Sequence, residues 1–154
     1  HFVYDWSGRN EIVAAFANVN ESTWEHMKLL AVPWIVWTVI EWLAVGRGKN
    51  SVLAARAVGL LIGLLVIPAL FYTYQGITGL NSSLVNIISF QVAVLLAFWV
   101  SWRLLATRRL SGKVWQWLGG LFLLAVGALF VIWSYDPPQL AVFTDPMTGE
   151  IGRK

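Results

Sequence analysis

Val52 to Tyr74 reads VLAARAVGLLIGLLVIPALFYTY. Its one charged residue, Arg56, stands near the start. No period-two alternation runs through the stretch, and it is too long for a buried strand. A helix needs ~20 apolar residues to cross the hydrocarbon core of a bilayer. This stretch meets that requirement, and its glycines and proline are the interruptions that lipid tolerates.

Three more stretches read the same way. Lys28 to Val45 is KLLAVPWIVWTVIEWLAV, and Leu84 to Ala106 and Val114 to Tyr135 are of similar length and character. Composition agrees: 58% of the 154 residues are hydrophobic, 12% are charged, and the mean hydropathy is +0.66. A soluble domain of this size needs more charge to cover its surface. The expected fold is all-α: a polytopic transmembrane bundle of four spans in a single membrane domain over residues 1–154. A short interfacial segment (1–27) precedes the spans (28–135), and an irregular tail (136–154) follows them. The lipid bilayer is the first partner this implies.

Several function classes fall away at once. With no cysteine, the chain has no disulfides, thiolate metal sites or cysteine nucleophile. Its net charge of +3 is scattered between apolar runs and forms no separate basic face, so nucleic acid is excluded as a partner.

Small residues mark helix contacts. Gly59 and Gly63 form a GxxxG pair, and Gly120 and Gly127 lie a heptad apart. Packing within the chain is the simpler use of both, ahead of homodimerisation. Pro33 and Pro68 fall inside spans, where neighbouring helices re-satisfy the backbone. Of the ten tryptophans, Trp24 and Trp133 fall at one set of helix ends and Trp42, Trp102, Trp115 and Trp117 at the other. That spacing predicts two interfacial belts.

Charge sets the orientation. Arg47, Lys49 and Arg56 flank the first connection, and Arg103, Arg108, Arg109 and Lys113 the third, with no acid in either. The positive-inside rule puts both in the cytoplasm. Both chain ends then lie outside. Seven of the eight acids agree: Asp5, Glu11, Glu21, Glu25, Asp136, Asp145 and Glu150 fall in those ends. The chain begins at His1, and an outside N-terminal segment is expected to follow an upstream apolar segment.

Candidate chemistry gathers on the outer face. Glu11 to Asn18 is expected to form a short interfacial helix. Beyond it, Glu21, Glu25 and His26 cluster, and Glu21 and Glu25 share one helix face if that helix begins by Asn20. His1, Asp5 and Asp145 belong to the same side. Histidine with carboxylates and no thiolate suits zinc, iron or manganese. The candidate divalent-metal ligands are therefore His1, Asp5, Glu21, Glu25 and His26, and the candidate acid–base pair is Glu25 with His26. The bland readings stand beside these. Ser22 and Glu25 form a capping box, which is the simpler account of Glu25. An interfacial hydrogen bond to a carboxylate competes with ligation for His26. There is no HExxH.

Glu41 is the one acid at membrane depth, which makes it a functional candidate by default. It lies ~22 Å along the helix from His26, so it belongs to a different site. Pairing with Arg56 or Arg103 is its expected role. Asn86, Ser89 and Gln91 in the third span, and Tyr72 and Tyr74 in the second, are read first as interhelical hydrogen-bonding groups. Asn20-Glu21-Ser22 and Asn81-Ser82-Ser83 match the glycosylation sequon and are read as caps and turns. In the tail, Pro137 and Pro138 end the fourth helix, and Leu140, Val142 and Phe143 are placed to fold back over the outer helix ends.

Three stretches, HFVYDWSG (1–8), VNESTWEHMK (19–28) and the DPMTG core (145–149) of the tail, together resemble a family of small, uncharacterised bacterial integral membrane proteins. The resemblance covers most of the chain, and its NES-WEH-K part is the most specific. It implies the fold, the topology and a place in the bacterial cytoplasmic membrane, and it implies no activity.

Two functions follow. One is an accessory or interaction subunit of a membrane complex, partnered by other subunits or by further copies of itself. The alternative is an outward-facing, metal-assisted or acid–base enzyme acting on a lipid or small amphiphile. A lone transporter is disfavoured by four spans with no charged ring. Haem ligation is disfavoured because both histidines lie outside facing helices.

Overall fold

The computed structural model describes residues 2–44 and 51–152. Arg47, Lys49 and His1, which entered the reading of topology and metal binding, lie outside the described residues. The described fold is helical: α1 (Phe2–Trp6), α2 (Glu11–Phe16), α3 (Thr23–Ala44), α4 (Val52–Thr78), α5 (Ser83–Thr107) and α6 (Lys113–Tyr135), then a 3-10 turn at Ala141–Phe143. Among the described residues, α3 to α6 are the four helices long and apolar enough to cross a membrane. Each contains nearly all of the span read from the sequence. The short helix expected over Glu11 to Asn18 is α2. Helix α1 was not expected, since five residues give no helical period to read.

Polar residues set the helix boundaries. Asn10 caps α2, its side chain accepting from the Ile12 N–H at 2.8 Å. Ser22 caps α3, with Oγ accepting from the Glu25 N–H at 3.3 Å. Gly79, in the left-handed region at φ 67°, closes α4 by donating to the Gln75 carbonyl, a conformation that glycine adopts without cost. Ser51 gives α4 no side-chain cap. Gln116 of α6 stands in for it: Oε1 accepts from the Leu53 N–H at 3.0 Å while Nε2 donates to the Leu110 carbonyl at 2.7 Å. A helix end needs such partners because its first N–H groups have none within the helix.

Packing divides the chain into two units. One is Trp34–Leu123; the other joins His1–Pro33 to Leu124–Lys154. In the Trp34–Leu123 unit, helices meet through small residues. A Cβ on Gly59 would stand 2.8 Å from the Ala97 carbonyl, from Ser101 Cβ and from the Trp34 ring. A Cβ on Gly119 would stand 2.6 Å from Ala54 Cα. So Gly59 of the GxxxG pair does pack within the chain, as expected, whereas on α6 the close approach belongs to Gly119, next to the Gly120 singled out from the sequence. Glu41 also has its expected partner: Arg56 Nε donates to Glu41 Oε2 at 2.8 Å. Arg56 further donates to Ser101 Oγ at 3.2 Å and lies over the Trp34 ring at 5.7 Å and the Phe98 ring at 5.9 Å.

The unit formed by the two chain ends is built on aromatics. Trp24 stacks on Phe130 at 4.3 Å and meets Trp133 at 5.0 Å and Phe143 at 4.8 Å, ring centre to ring centre. Trp24 is buried, so it belongs to this cluster and not to an interfacial belt; Trp102, Trp115 and Trp117 are exposed as a belt requires. Phe143 is buried while Leu140 is exposed. Of the apolar tail residues expected to fold back, Phe143 is the anchor.

Candidate functional site

The polar residues of the end-formed unit lie between α2 and α3 and in the tail. At their centre is a side chain that the sequence does not single out. Lys28 is completely buried, and its Nζ lies 2.8 Å from Glu25 Oε2, whose carboxylate is 4% exposed. The same ammonium donates to the carbonyls of Ala14 at 3.1 Å and Ala17 at 3.3 Å. A lysine carries three donors, and these contacts supply three acceptors. Two are carbonyls at the end of α2, the kind of group that a helix leaves without a partner and where a cation is favourable. Glu25 Oε2 also accepts from the Val19 N–H at 3.1 Å. The carboxylate therefore holds the α2–α3 connection closed on both sides.

This arrangement modifies the expected capping box. Its first half is present, from Ser22 to the Glu25 N–H. The return half is replaced: the Ser22 N–H donates to Asn20 Oδ1 at 2.9 Å, leaving the Glu25 side chain for Lys28 and Val19. The sequon residue Asn20 is thus a turn former, as read. Because α3 begins at Thr23, Glu21 precedes it and does not share a helix face with Glu25.

His26 and Glu21 do meet. His26 Nε2 lies 3.6 Å from Glu21 Oε2, and Nδ1 lies 3.0 Å from the Ser22 carbonyl. A carbonyl only accepts, so this contact places a proton on Nδ1 and leaves Nε2 as the ring nitrogen that faces Glu21. Asp5 pairs with Arg9 at 3.6 Å, both exposed. Asp145 is buried; Oδ1 accepts from the Met147 N–H at 2.8 Å and Oδ2 from the Glu21 N–H at 3.4 Å. The DPMTG stretch is therefore an Asp-closed turn. Thr144 bridges to Ile151 in antiparallel fashion, and Asn20 Nδ2 reaches the Gly152 carbonyl at 3.0 Å. The tail is docked on the N-terminal segment at several points.

Between them lies a cavity of about 210 Å³, into which Asp5, Glu21, Asp145, Glu150 and Arg9 face. Asp5, Glu21 and Asp145 thus line one cavity. Glu25 stands apart from it in the lysine contact. Among the described residues, no group of three or more His, Asp or Glu side chains is placed to hold a metal ion. Lys28, Arg9 and Glu150 are the members that sequence reasoning missed. For Lys28 the available signal was the i, i+3 spacing from Glu25 at the start of an apolar run.

A profile of a family of unknown function, DUF6512, matches residues 1–153. The chain belongs to this family. No curated protein and no solved structure matches it. For this DUF6512 member, function must be argued from its own residues.

Proposed function

We propose that this DUF6512 protein is an accessory or interaction subunit of a complex in the bacterial cytoplasmic membrane, with both ends of this chain outside. The observation that carries the reading is the state of Glu25. Of the candidate catalytic pair it is the buried member, and its carboxylate is committed to Lys28 and the Val19 N–H. The acids of the two ends build a folded polar head and, among the described residues, no cluster of three metal-ligating side chains. The orientation is supported by Arg103, Arg108, Arg109 and Lys113 around one connection and by seven acids within the end-formed unit. Purification in mild detergent at native expression is expected to bring one or more membrane partners in fixed stoichiometry. A bare monomer, recovered active in no complex, sinks the reading.

One observation favours the second reading, a metal-assisted enzyme. His26 has the posture of a ligand, with Nδ1 held by a backbone carbonyl and Nε2 facing a carboxylate, which is how many metal-binding histidines are oriented. His26 and Glu21 supply two donors, and His1 is the remaining histidine. Elemental analysis of purified protein, beside His26→Ala and Glu21→Ala, tests it. Stoichiometric metal lost in both variants establishes it, and its absence from the unaltered protein removes it.

A further inference from the structure

Helix α5 is the span least covered by its own chain: 11% of its apolar window is buried, against 50% for α4. The covered side is Ala93, Ala97 and Ser101. On the other side, Leu84, Ile88, Gln91, Leu95, Phe98 and Trp102 follow one another at alternating spacings of four and three, and all are exposed, although the Phe98 ring also meets Trp34 and Arg56 within the chain. That alternation is the 3.5-residue repeat of a helix–helix seam.

Lipid accounts for the apolar members of the seam but not for Gln91. Gln91 lies about 12 Å along α5 from Ser83, in a helix about 37 Å long, so its amide is at hydrocarbon depth. There an amide without a hydrogen bond is costly. Among the described residues none bonds the Gln91 side chain. The seam thus needs an occupant that offers both a donor and an acceptor at this depth. A second copy does so by symmetry. An amide is self-complementary, and across a twofold axis residue i of one copy meets residue i of the other. The rest of the seam is uncharged from Leu84 to Trp102, so like meets like without repulsion. Arg103 follows at the end of the span, where a long cationic side chain reaches the headgroups.

We infer that the α5 seam joins two copies of this chain in parallel, with their Gln91 amides hydrogen-bonded to each other within the bilayer. The inference rests on the reading of the chain as an interaction subunit and names its first partner. A single buried polar residue in an apolar seam also fixes register, so this pairing selects one alignment of the two helices.

The absence of cysteine makes the test direct. Single-cysteine variants are placed in vesicles at a low protein-to-lipid ratio and oxidised. Ile88→Cys and Leu95→Cys are expected to cross-link to themselves, whereas Leu96→Cys, on another side of α5, and Leu124→Cys on α6 are not. In two-colour energy transfer between labelled copies, Gln91→Leu is expected to weaken association roughly three- to tenfold, with Gln91→Asn recovering part of the loss. Equal cross-linking at all four positions, or no transfer at any dilution, overturns the inference. A different protein cross-linked at positions 88 and 95 in cells also overturns it but leaves the interaction reading standing. If neither a copy nor another protein is captured, both fall.

Discussion

Among the described residues, two acid–base pairs approach to 2.8 Å, and their surroundings differ. Lys28 and Glu25 are three residues apart on one helix, with side chains 0% and 4% exposed. Arg56 and Glu41 join two helices, with side chains 11% and 20% exposed. The first pair is surrounded by backbone: two carbonyls complete the ammonium and one N–H completes the carboxylate. The second is surrounded by side chains: a serine hydroxyl and two aromatic faces. The two solutions answer the same physical problem. A buried charge is tolerated only when its remaining donors and acceptors are matched. An ammonium matched by carbonyls fixes the chain path. A guanidinium matched by side chains fixes which helices meet.

Breaking the first pair is expected to have the largest effect. Lys28→Met leaves Glu25 buried without its counter-charge and strips two carbonyls of their donor, at a cost of roughly 3–5 kcal/mol. Resistance of the head to protease in vesicles reads this out. Adding Glu25→Gln to Lys28→Met should recover a good part of it, which distinguishes an unpaired charge from lost lysine packing. If Lys28→Met is as resistant as the parent, the pair does not hold the head.

Gly119→Ala comes next. Its new Cβ meets Ala54 backbone at 2.6 Å, which cannot move aside as a flexible side chain would. A loss of roughly 1–3 kcal/mol is expected in the Trp34–Leu123 unit, read as a lower unfolding midpoint in detergent, with the protease resistance of the head unchanged. Arg56→Lys sharpens the comparison more finely. It keeps the charge but loses the planar contact with Trp34 and Phe98, at about 1 kcal/mol. An effect as large as that of Arg56→Met would show that charge is not what the site retains. The smallest change expected is from Asn20→Ala. It removes the Gly152 contact and the Ser22 turn, with a loss of about 1 kcal/mol visible as faster proteolysis of the tail.

The spans were legible in the sequence because their signal is length and hydropathy, which no packing detail alters. The Glu41 pairing was legible because a lone acid at membrane depth has few candidate partners. Lys28 was not, because two of its three acceptors are carbonyls of Ala14 and Ala17, and a carbonyl has no letter in the sequence. The same reason hid the second role of Glu25: a capping box can be read from side chains, but the N–H of Val19 cannot. Trp24 was misplaced because tryptophan near a helix end suits either a belt or a core, and only the arrival of Phe143 from the far end of the chain decides between them. Asp145 and Glu21 do meet, but through a backbone N–H that depends on the tail turn and so could not be read from the side chains.

The docking of Phe143 on Trp24 also has a consequence for biogenesis. The head uses residues from both ends of the chain, with Asn20 meeting Gly152 and Glu21 meeting Asp145. While the ribosome is still extending the polypeptide, residues 1–33 have no tail to close against. The Lys28 contact, local in sequence, is available early, and the aromatic closure must wait until Phe143 has been made. A nascent chain stalled at Pro138 should therefore present Trp24 without its Phe143 cover, as a ready mark for membrane proteases that clear unfinished products.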